Sequence, residues 1–524
     1  MKRILLVYPK FPEMTYWSFS EALKFIGRKV AMPPIGLLTV ASMLPDVFDL
    51  RLIDMNAEKL KDSDIIWADA VFVSAMIAQQ ESLTKVMERC NDLSAPVILG
   101  GPYPSSYYKN IKANVTMVLN EAEDVFDYFL PDLISGTMKK VYARPARESE
   151  YNELIDHFGK NENIALIDDR TDMTNTPVPR FDLLKMKYYS SMSVQYSRGC
   201  PIGCEFCDIW RRFGKKVRVK SGKKLIEEFD ELYRLGWRGS LFIVDDNFIG
   251  NKRKVKNILI DIIKWQKEHN HPYSLYTETT INLADDEELL KLMVDAGFYM
   301  AFIGIETPVE ASLRETGKFL NTSKKISLID RIRKIQRAGI EVSSGFILGF
   351  DNDPDNIADL QIEFIQNSGV PLAMVGLLGA LRDTDLYDRL EREGRITRES
   401  DGINTHLTEP NFITRINAKK LADDYKRLLK TIYDTNMKNY FARCTTMLDN
   451  LGRNTAYSSN LNIRDIMAML RSFAYIPVKR FGYQYFKFLW RTVTRTPHHF
   501  PTAIRLAVMG YHFRAITKYT AQSS

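Results

Sequence analysis

Residues 198–209 read RGCPIGCEFCDI, which places Cys200, Cys204 and Cys207 in one short loop with a C-x3-C-x2-C spacing. Three cysteines this close together, in a chain with only five, are typical of a metal or iron–sulfur site. A structural zinc site takes four protein ligands, and no histidine or further cysteine lies near the loop. Three thiolates leave one iron of a four-iron cluster open to an outside ligand, so the loop predicts a catalytic centre. The alternative is three thiols that hold no metal.

Short apolar runs alternate with helical stretches on the carboxyl side of this loop. After a first strand within 192–197, the predicted strands are 240–245, 273–279, 299–305, 342–349 and 371–377. Strands that alternate with helices form parallel βαβ units, and six such units predict a partial barrel, whose functional groups cluster at the carboxyl ends of the strands. The acidic residues at those predicted ends are Asp245, Asp246, Glu278 and Glu306. A solvated loop or a helix cap is the alternative for each acid taken alone.

The first part of the chain shows the same alternation of strands and helices. Its apolar runs predict a doubly wound parallel sheet with strands at 3–8, 50–54, 70–75, 96–99 and 115–119. Such sheets bind ligands at the carboxyl ends of their strands. The loops expected there carry Pro9, Asp54, Ser74, Met76, Gly100, Gly101 and Pro102. Two adjacent glycines let the backbone approach a bulky ligand closely, although a tight turn without a ligand explains them equally well.

The cysteine loop, with Phe206 before its last cysteine, resembles the signature of radical S-adenosylmethionine (SAM) enzymes. Three further segments match signposts of that superfamily: VDDNF at 244–248, GIE at 304–306 and G-x-I-x-G at 345–349. The resemblance implies that the three cysteines bind a [4Fe–4S] cluster. The SAM contacts that it implies are Phe206, Asp245, Asp246, Glu278, Glu306, Gly345, Ile347 and Gly349. The chain departs from the pattern at Asn352, where a glutamate is common.

The N-terminal segment resembles the Rossmann-like cobalamin-binding domain that is fused to class B radical SAM methylases. The matching features are PPIGLLTVASML at 33–44, the turn at 74–76, GGP at 100–102 and NEAE at 120–123. The resemblance implies cobalamin contacts from the loop residues named above and from Glu121. The D-x-H-x-x-G loop of many cobalamin proteins is missing, since the first histidine is His157, so a cobalt ligand from histidine is not expected. Met76 and Ile77 are candidates for the lower face of cobalamin, with plain core packing as the alternative.

Together these segments cover residues 1–410, and on them the chain resembles the cobalamin-dependent radical SAM methyltransferase family. The resemblance implies that one SAM is cleaved at the cluster and that the resulting radical abstracts hydrogen from an unactivated carbon. Methylcobalamin then supplies the methyl group, and a second SAM restores it. A flavodoxin- or ferredoxin-type protein is the expected electron donor. In such chemistry the cofactors react while the protein orients them, so no side-chain general base is expected.

Charge is distributed unevenly along the 524 residues. Residues 411–524 contain 19 Lys and Arg against 5 Asp, a net charge of +14, whereas the whole chain carries +7 and its remainder therefore −7. This mainly helical tail includes KRFGYQYFKFLWRTVTR at 479–495, where Tyr483, Phe486 and Trp490 are spaced to share one helical face. Three interpretations stay open: an interfacial helix on anionic lipid, an ordinary core stripe, and a single-stranded nucleic acid site.

The expected domains are 1–140 for the cobalamin unit, 141–190 for a linker, 191–410 for the partial barrel and 411–524 for the basic helical domain. The tail resembles that of family members acting on polycyclic lipids, above all hopanoid C-2 methylases. It implies a lipid substrate, namely a hopanoid, and no nucleic acid partner. No apolar run is long enough to span a membrane and no signal peptide is visible. The expected location is the cytoplasm, with peripheral contact at the inner membrane face through residues 479–524.

Two other classes of protein compete with this prediction. A methylthiotransferase needs a second three-cysteine cluster, but only Cys90 and Cys444 remain, and these isolated cysteines are expected to be buried as small hydrophobic residues. A non-enzymatic cobalamin-binding module has no need of the three-cysteine loop. The family also contains enzymes that modify other lipids or natural products, which keeps the substrate open.

Overall fold

The computed structural model describes residues 2–145, 147–159, 164–167, 172–322, 326–402, 409–454 and 463–522. Its first unit is a seven-stranded sheet in the order β2-β1-β3-β4-β5-β6-β7. The strands are β1 (Arg3–Tyr8), β2 (Asp49–Asp54), β3 (Ala70–Ser74), β4 (Val97–Gly100), β5 (Thr116–Leu119), β6 (Val141–Ala143) and β7 (Ile164–Leu166). The helices in this part of the chain are α1 (Ser20–Ile26), α2 (Ile35–Met43), α3 (Asp62–Trp67), α4 (Gln80–Asp92), α5 (Pro102–Tyr107), α6 (Ala122–Ser135) and α7 (Glu148–Phe158).

The strands of this sheet are all parallel, and helices cover both of its faces, which confirms the predicted doubly wound architecture. Alternate residues of β1 enter different cores: Ile4 packs on the side of α2 and α6, and Leu5 on the side of α4. Cys90 of α4 is buried in the second core. The sheet continues beyond residue 140, where the sequence predicted a linker, because two further apolar segments pair in register beside β5 as β6 and β7.

The second unit is a parallel sheet of six strands in the order β8-β11-β12-β13-β14-β15, accompanied by an antiparallel pair of β9 and β10. The strands are β8 (Met192–Val194), β9 (Ser197–Arg198), β10 (Arg218–Val219), β11 (Gly239–Ile243), β12 (Tyr273–Thr279), β13 (Phe298–Glu306), β14 (Glu341–Leu348) and β15 (Ala373–Leu377). The helices are α8 (Ile209–Phe213), α9 (Gly222–Arg234), α10 (Lys252–Glu268), α11 (Glu287–Asp295), α12 (Glu310–Glu315), α13 (Leu328–Ala338), α14 (Ile357–Ser368) and α15 (Asp385–Arg392). The predicted partial barrel of six strands is confirmed.

The interior of this barrel is accessible, whereas its outer face is sealed by helices. Along β12, Leu275 and Thr277 are buried, while the alternate residues Tyr276 and Glu278 stay partly exposed. The same alternation occurs on β13, where Phe302 is partly exposed between buried neighbours. Since side chains alternate between the two faces of a strand, the partly exposed set lines a space inside the barrel.

The gap between the edge strands β8 and β15 is closed by the N-terminal segment 16–31. The Tyr16 hydroxyl donates to the carbonyl of Val375 on β15 at 3.1 Å. At the other edge, the Ser190 amide, just before β8, donates to the Val30 carbonyl at 2.9 Å. Residues from the start of the chain therefore form one wall of the barrel.

The last part of the chain is helical, as predicted. Its helices are α16 (Ala418–Ile432), α17 (Lys438–Asn450), α18 (Ile463–Tyr475), α19 (Gly482–Arg495) and α20 (Phe500–Gln522). Met437, in the turn between α16 and α17, is left-handed with a φ of 57°. Cys444 of α17 is buried. A membrane-crossing helix, which needs both length and apolar character, does not occur in the described part of the chain.

Gly510, in the middle of α20, lets that helix approach Tyr440 of α17. A β-carbon on residue 510 would lie 2.3 Å from Cε1 of Tyr440, a fully buried ring whose hydroxyl donates to the Leu506 carbonyl at 2.6 Å. Gly510→Ala is expected to lower the melting temperature. Overpacking against Tyr440 lowers the free energy of unfolding by about 1–3 kcal/mol, which outweighs the gain of about 1 kcal/mol from the higher helix propensity of alanine. Gly36→Ala in α2 is the matched control, because its β-carbon would meet open space. Equal melting temperatures by circular dichroism would contradict this prediction.

Candidate active site

The cysteine loop follows β9 and is held by backbone hydrogen bonds. The Cys200 amide donates to the Gly214 carbonyl at 3.3 Å, and the Trp210 indole donates to the Cys204 carbonyl at 3.1 Å. Gly199 has a φ of 96°, and a β-carbon there would lie 2.8 Å from the Gly214 carbonyl oxygen. Glycine is therefore required at this position, and the backbone course that it permits determines where the three thiols lie.

The three thiols are close enough to influence one another's ionisation. Cys204 is buried, whereas Cys200 and Cys207 are partly exposed. Burial raises the pKa of all three, that of Cys204 to about 11, and the charges of the other two thiolates contribute to the rise at Cys207. No group of three His, Cys, Asp or Glu side chains within the described residues is arranged to hold one metal ion. In a [4Fe–4S] cluster each thiolate binds a different iron, and these three donors fit such a cluster.

Asp245, a predicted SAM contact, has a different place in the structure. It is 1% exposed, and its carboxylate accepts hydrogen bonds from the Tyr196 amide at 2.8 Å and the Ser197 hydroxyl at 2.6 Å. Both of its oxygens thus hold the strand that leads into the cysteine loop. Asp245 therefore positions the cysteine loop. Its neighbour Asp246 stays partly exposed, and burial raises the pKa of Asp246 to about 6.

Glu278 reaches into the barrel from the carboxyl end of β12. Its partner in the register of the sheet is Phe302 on β13. Burial raises the pKa of Glu278 to about 8, and the nearby charge of Asp246 contributes to the rise. The carboxyl group is therefore mostly protonated near pH 7 and can donate a hydrogen bond. The structure places this predicted SAM contact where a ligand inside the barrel can reach it.

Glu306 ends β13 in a left-handed conformation, with a φ of 66°, and its Oε1 lies 2.6 Å from Nζ of Lys318 in a buried ion pair. Gly304 makes room for this pair, because a β-carbon there would lie 2.3 Å from Oε1 of Glu306 and 2.7 Å from Nζ of Lys318. The positive charge of Lys318 lowers the pKa of Cys204 against the larger opposing effect of burial. Sequence reasoning missed Lys318, because no motif includes it and the turn after α12 brings it back to the cysteines.

The start of the G-x-I-x-G segment lies beside the barrel interior. Gly345 leaves space for Phe302, whose Cζ would be 3.3 Å from a β-carbon at residue 345. Ile347 and Phe206 pack against the same small core as Phe350, and the rings of Phe206 and Phe350 are 6.0 Å apart. The structure therefore brings together Phe206 of the cysteine loop and the end of β14, as the two motifs predict.

The turn after β14 is held by Asp353 rather than by the residue at position 352. Gly349 has a φ of 106°, and its amide donates to the Asp353 carboxylate at 2.9 Å. The same carboxylate accepts from the Ser312 hydroxyl at 2.6 Å. Asn352, where the family pattern has a glutamate, contributes its backbone amide, which donates to Glu315 at 2.8 Å. The departure from the pattern thus leaves the turn with a carboxylate one residue later.

The predicted loops at the carboxyl edge of the first sheet meet around Gln79. This buried side chain donates to the Pro9 carbonyl at 2.5 Å and accepts from the Met76 amide at 2.8 Å. Gly101 has a φ of 96°, and a β-carbon there would lie 2.7 Å from Oγ of Ser74. The structure therefore gathers three predicted loops at one edge, and the Met76 side chain, 45% exposed, is available to a ligand there.

Asp54, predicted at the same edge as a cobalamin contact, points to the barrel unit instead. Its carboxylate accepts from the Asn56 amide at 2.9 Å and from the Tyr189 hydroxyl at 2.9 Å, and it is 2% exposed. Burial raises the pKa of Asp54. Since Tyr189 precedes β8, this bond joins the two units, and the carboxylate is occupied by it.

An apolar pocket that is partly open to solvent lies between the first sheet and the helices α2 and α6. Gly100 ends β4 at its rim, and Pro102 begins α5 just beyond. The lining residues are Gly36, Leu37, Val40, Phe72, Val73, Ser74, Ile98, Gly100, Gly101, Val118, Asn120, Ala122, Val125, Phe126 and Phe129. Gly36 is exposed at the rim of the pocket, and a β-carbon there would meet nothing within 4 Å. The pocket and the glycine edge fit a large cofactor that buries an apolar group.

Glu121, also a predicted cobalamin contact, belongs to a charge network between the two units. Its carboxylate accepts from Arg198 at 2.8 Å and from Arg218 at 2.6 Å, and Glu123 accepts from Arg198 at 2.6 Å. Burial raises the pKa of Glu121, but the two arginines lower it by more, so that the pKa is about 2. Arg198 lies two residues before Cys200. The Glu121 carboxylate thus joins the first sheet unit to the cysteine loop.

Comparison with protein families assigns two parts of the chain. The model of the Radical SAM superfamily matches residues 194–362, which contain the cysteine loop and the strands β11–β14. A domain of unknown function, DUF4070, matches residues 384–524.

Relatives and solved structures extend this assignment. An uncharacterized methyltransferase of Synechocystis sp. is 39% identical over 82% of this chain and 76% of its own length. The hopanoid C-2 methylase of Rhodopseudomonas palustris is 36% identical over 76% of this chain and 72% of its own length. The structure of the cobalamin-dependent S-adenosylmethionine radical enzyme OxsB is similar with a TM-score of 0.62 at 14% identity, over 100% of this chain and 80% of that one. The chain belongs to the cobalamin-dependent radical SAM methyltransferase family.

Proposed function

We propose that this enzyme transfers a methyl group to an unactivated carbon of a lipid, namely C-2 of a hopanoid. The observation that carries this proposal is the 36% identity to the hopanoid C-2 methylase, over 72% of that enzyme. The barrel interior supports an apolar substrate independently. Phe242 and Tyr276 stack there with ring centroids 4.7 Å apart, and Trp17 of the N-terminal segment lies 5.3 Å from Phe302.

This lining suits a polycyclic hydrocarbon better than a polar molecule, because aromatic side chains gain most by covering apolar surface. Glu278, mostly protonated near pH 7, adds one hydrogen-bond donor at the same level of the barrel as Phe302. Trp17 and its segment close the side of the barrel, which keeps water away from the carbon that reacts. In the proposed reaction these residues orient the substrate and exclude solvent, and none of them transfers a proton.

Cys200, Cys204 and Cys207 are the proposed ligands of the [4Fe–4S] cluster. When bound, the cluster and SAM supply the radical that removes hydrogen, and cobalamin supplies the methyl group. Lys318, whose ammonium pairs with Glu306 at 2.6 Å, is a further proposed contact for the SAM carboxylate. The other proposed SAM contacts are Phe206, Asp246, Glu278, Glu306, Gly345, Ile347 and Gly349.

The proposed cobalamin contacts lie at the carboxyl edge of the first sheet: Pro9, Ser74, Met76, Gly100, Gly101 and Pro102. The exposed Met76 side chain is the candidate for the lower face of the corrin ring. The apolar pocket beside Gly36 is the proposed site for the benzimidazole end of the cofactor. Asp54 and Glu121 act indirectly, because they hold the two units together.

The proposed electron donor is a protein of the flavodoxin or ferredoxin type. The proposed location of the enzyme is the cytoplasm, at the inner face of the membrane. A polycyclic lipid partitions into a membrane, so in this proposal the enzyme meets its substrate there. Residues 479–524 are the proposed peripheral contact, and no nucleic acid takes part.

Lipid analysis by mass spectrometry, in a host lacking and then regaining this gene, tests the reaction and the substrate together. The wild-type chain is expected to add the mass of one methylene group to a hopanoid. Cys204→Ala is expected to add none, because the open-iron cluster needs all three thiolates. Cys90→Ala, in the core of the first unit, is the matched control and should keep the product. Methylation of another lipid would refute the hopanoid, and a product from Cys204→Ala would refute the radical reaction.

A further inference from the structure

We propose that α18 and α19 together form a docking surface for the anionic face of a lipid bilayer. The proposal rests on the proposed function, since it names the surface through which a lipid-modifying enzyme meets its substrate. It includes α18, which lies outside the tail segment 479–524 that the sequence indicated.

The surface is defined by large apolar side chains that the fold leaves uncovered. Of the 22 exposed large hydrophobic residues in the described part of the chain, ten lie between 466 and 493, so the exposure is concentrated rather than scattered. They are Ile466, Met467, Leu470, Phe473, Tyr475, Val478, Tyr483, Phe486, Trp490 and Val493. Contiguous apolar exposure of this kind marks a binding surface. We call these ten residues the α18–α19 surface.

The α18–α19 surface is the outer face of two helices that are packed on their inner face. On α19, Tyr483, Phe486 and Trp490 are 75%, 49% and 73% exposed. The buried side of the same helix is formed by Tyr485, Phe488 and Leu489. The aromatic stripe seen in the sequence is therefore not core packing, because other residues of α19 already occupy the core.

The carboxyl end of α18 meets the first half of α19, which brings exposed residues of the two helices together. The rings of Phe473 and Phe486 are nearly parallel, with centroids 6.5 Å apart. Beneath them the Ser472 and Tyr485 hydroxyls share a buried hydrogen bond of 2.8 Å. This internal bond fixes α18 against α19, so the patch is a property of the folded chain.

The charge around the patch favours an anionic partner. Residues 466–524 contain nine Lys and Arg and no Asp or Glu. Two of these arginines are neutralised by distant acids, since Arg491 pairs with Asp449 and Arg505 pairs with Glu341. The exposed basic residues that border the patch are Lys479, Arg480, Lys487 and Arg495. Basic side chains around exposed aromatic and aliphatic residues are typical of helices that lie in a membrane interface.

A bilayer accounts for this composition better than the other partners do. Single-stranded nucleic acid binds by stacking on aromatic rings, which leaves the aliphatic residues Ile466, Leu470 and Val478 without a role. A second copy of the chain would bring two basic surfaces together with no acidic residue between 466 and 524 to compensate them. A lipid surface offers acyl chains to the aliphatic residues and phosphates to the lysines and arginines.

The position of the patch also suits access of a lipid to the barrel. Tyr475 of the α18–α19 surface contacts Phe25 of α1, with ring centroids 6.2 Å apart. The segment that contains α1 also carries Trp17, which contacts Phe302 of the barrel lining. The docked face is therefore next to the segment that closes the barrel.

Vesicle flotation of the full-length chain tests the docking surface. With vesicles of phosphatidylcholine and phosphatidylglycerol, the wild type is expected to float, and more weakly when salt rises from about 0.1 M to about 1 M. Phe486→Ser with Trp490→Ser is expected to lower the bound fraction about tenfold or more, because two interfacial anchors are lost. The matched control, Ile66→Ser with Ile260→Ser, removes two other exposed hydrophobic residues and should float like the wild type. Circular dichroism verifies that all of these chains are folded.

Each other outcome counts against the docking surface. Unchanged flotation of the Phe486 and Trp490 variant would overturn it, as would a wild type that does not float. A variant that loses self-association or binding to a single-stranded oligonucleotide, but keeps flotation, would assign the patch to that other partner. The Cys204→Ala chain should float like the wild type although it does not methylate. Flotation therefore tests the docking surface independently of the proposed reaction.

Discussion

Arg198→Met is expected to lower methylation by about 100-fold or more while SAM cleavage continues. Arg198 lies just before the cysteine loop, and its guanidinium reaches Glu121 and Glu123 on the first sheet unit at 2.8 and 2.6 Å. Removing one partner of a buried charge network costs about 3–5 kcal/mol, so the contact between the units opens. Methyl transfer needs the two cofactors at the correct distance and orientation, and a misplacement of about 1 Å can lower the rate 100-fold.

The measurement is a comparison of two products of one reaction. Both 5′-deoxyadenosine and methylated lipid are quantified, together with the iron and corrinoid content of the purified chain. Arg3→Met is the matched control, because Arg3 forms an exposed ion pair with Asp69 and such pairs contribute little. A parallel loss of both products, with iron lost as well, would show that Arg198 only stabilises the fold.

Gly36→Leu is expected to weaken cobalamin binding while the iron content stays normal. Residue 36 lies on α2 at the exposed rim of the apolar pocket, where a β-carbon would meet nothing within 4 Å. A leucine would occupy that space. A steric clash of this side chain with the cofactor, at about 1–3 kcal/mol, corresponds to about fivefold to 150-fold weaker affinity. The cysteine loop belongs to the other unit and is unaffected.

Corrinoid bound after reconstitution, read from its visible absorption, is the test. Val47→Leu, at an exposed position beyond the end of α2, enlarges a side chain outside the pocket and should bind cobalamin like the wild type. If Gly36→Leu retains a full complement of corrinoid, the pocket is not the site of any part of the cofactor.

The strands and the cysteine loop could be predicted from the sequence because their signals are local. An apolar run such as Arg3–Tyr8 indicates a strand that is buried on both faces of a parallel sheet. This prediction does not depend on which strands lie beside it. The loop of three cysteines needs no distant residue to be recognised. Motif spacing likewise brought Phe206 and Ile347 to the same side of the barrel.

The direction in which an acidic side chain points could not be predicted in the same way. Asp54 and Asp245 end predicted strands and Glu121 follows one, but each is satisfied by residues remote in the sequence or by the edge of another strand. Burying a carboxylate without partners is costly, so these partners determine its orientation. The sequence holds no local signal for a partner such as Tyr189, which lies 135 residues from Asp54.

The wall formed by segment 16–31 means that the chain is interleaved and cannot be divided at a single point. The two ends of the sequence meet there, with a ring nitrogen of His512 on α20 lying 3.1 Å from the Thr15 carbonyl oxygen. A cobalamin unit exchanged between relatives would have to leave residues 16–31 behind with the recipient barrel. Truncation from the N-terminus would remove β1, which lies between β2 and β3 in the first sheet, before it reached this wall, so the two units would be damaged together.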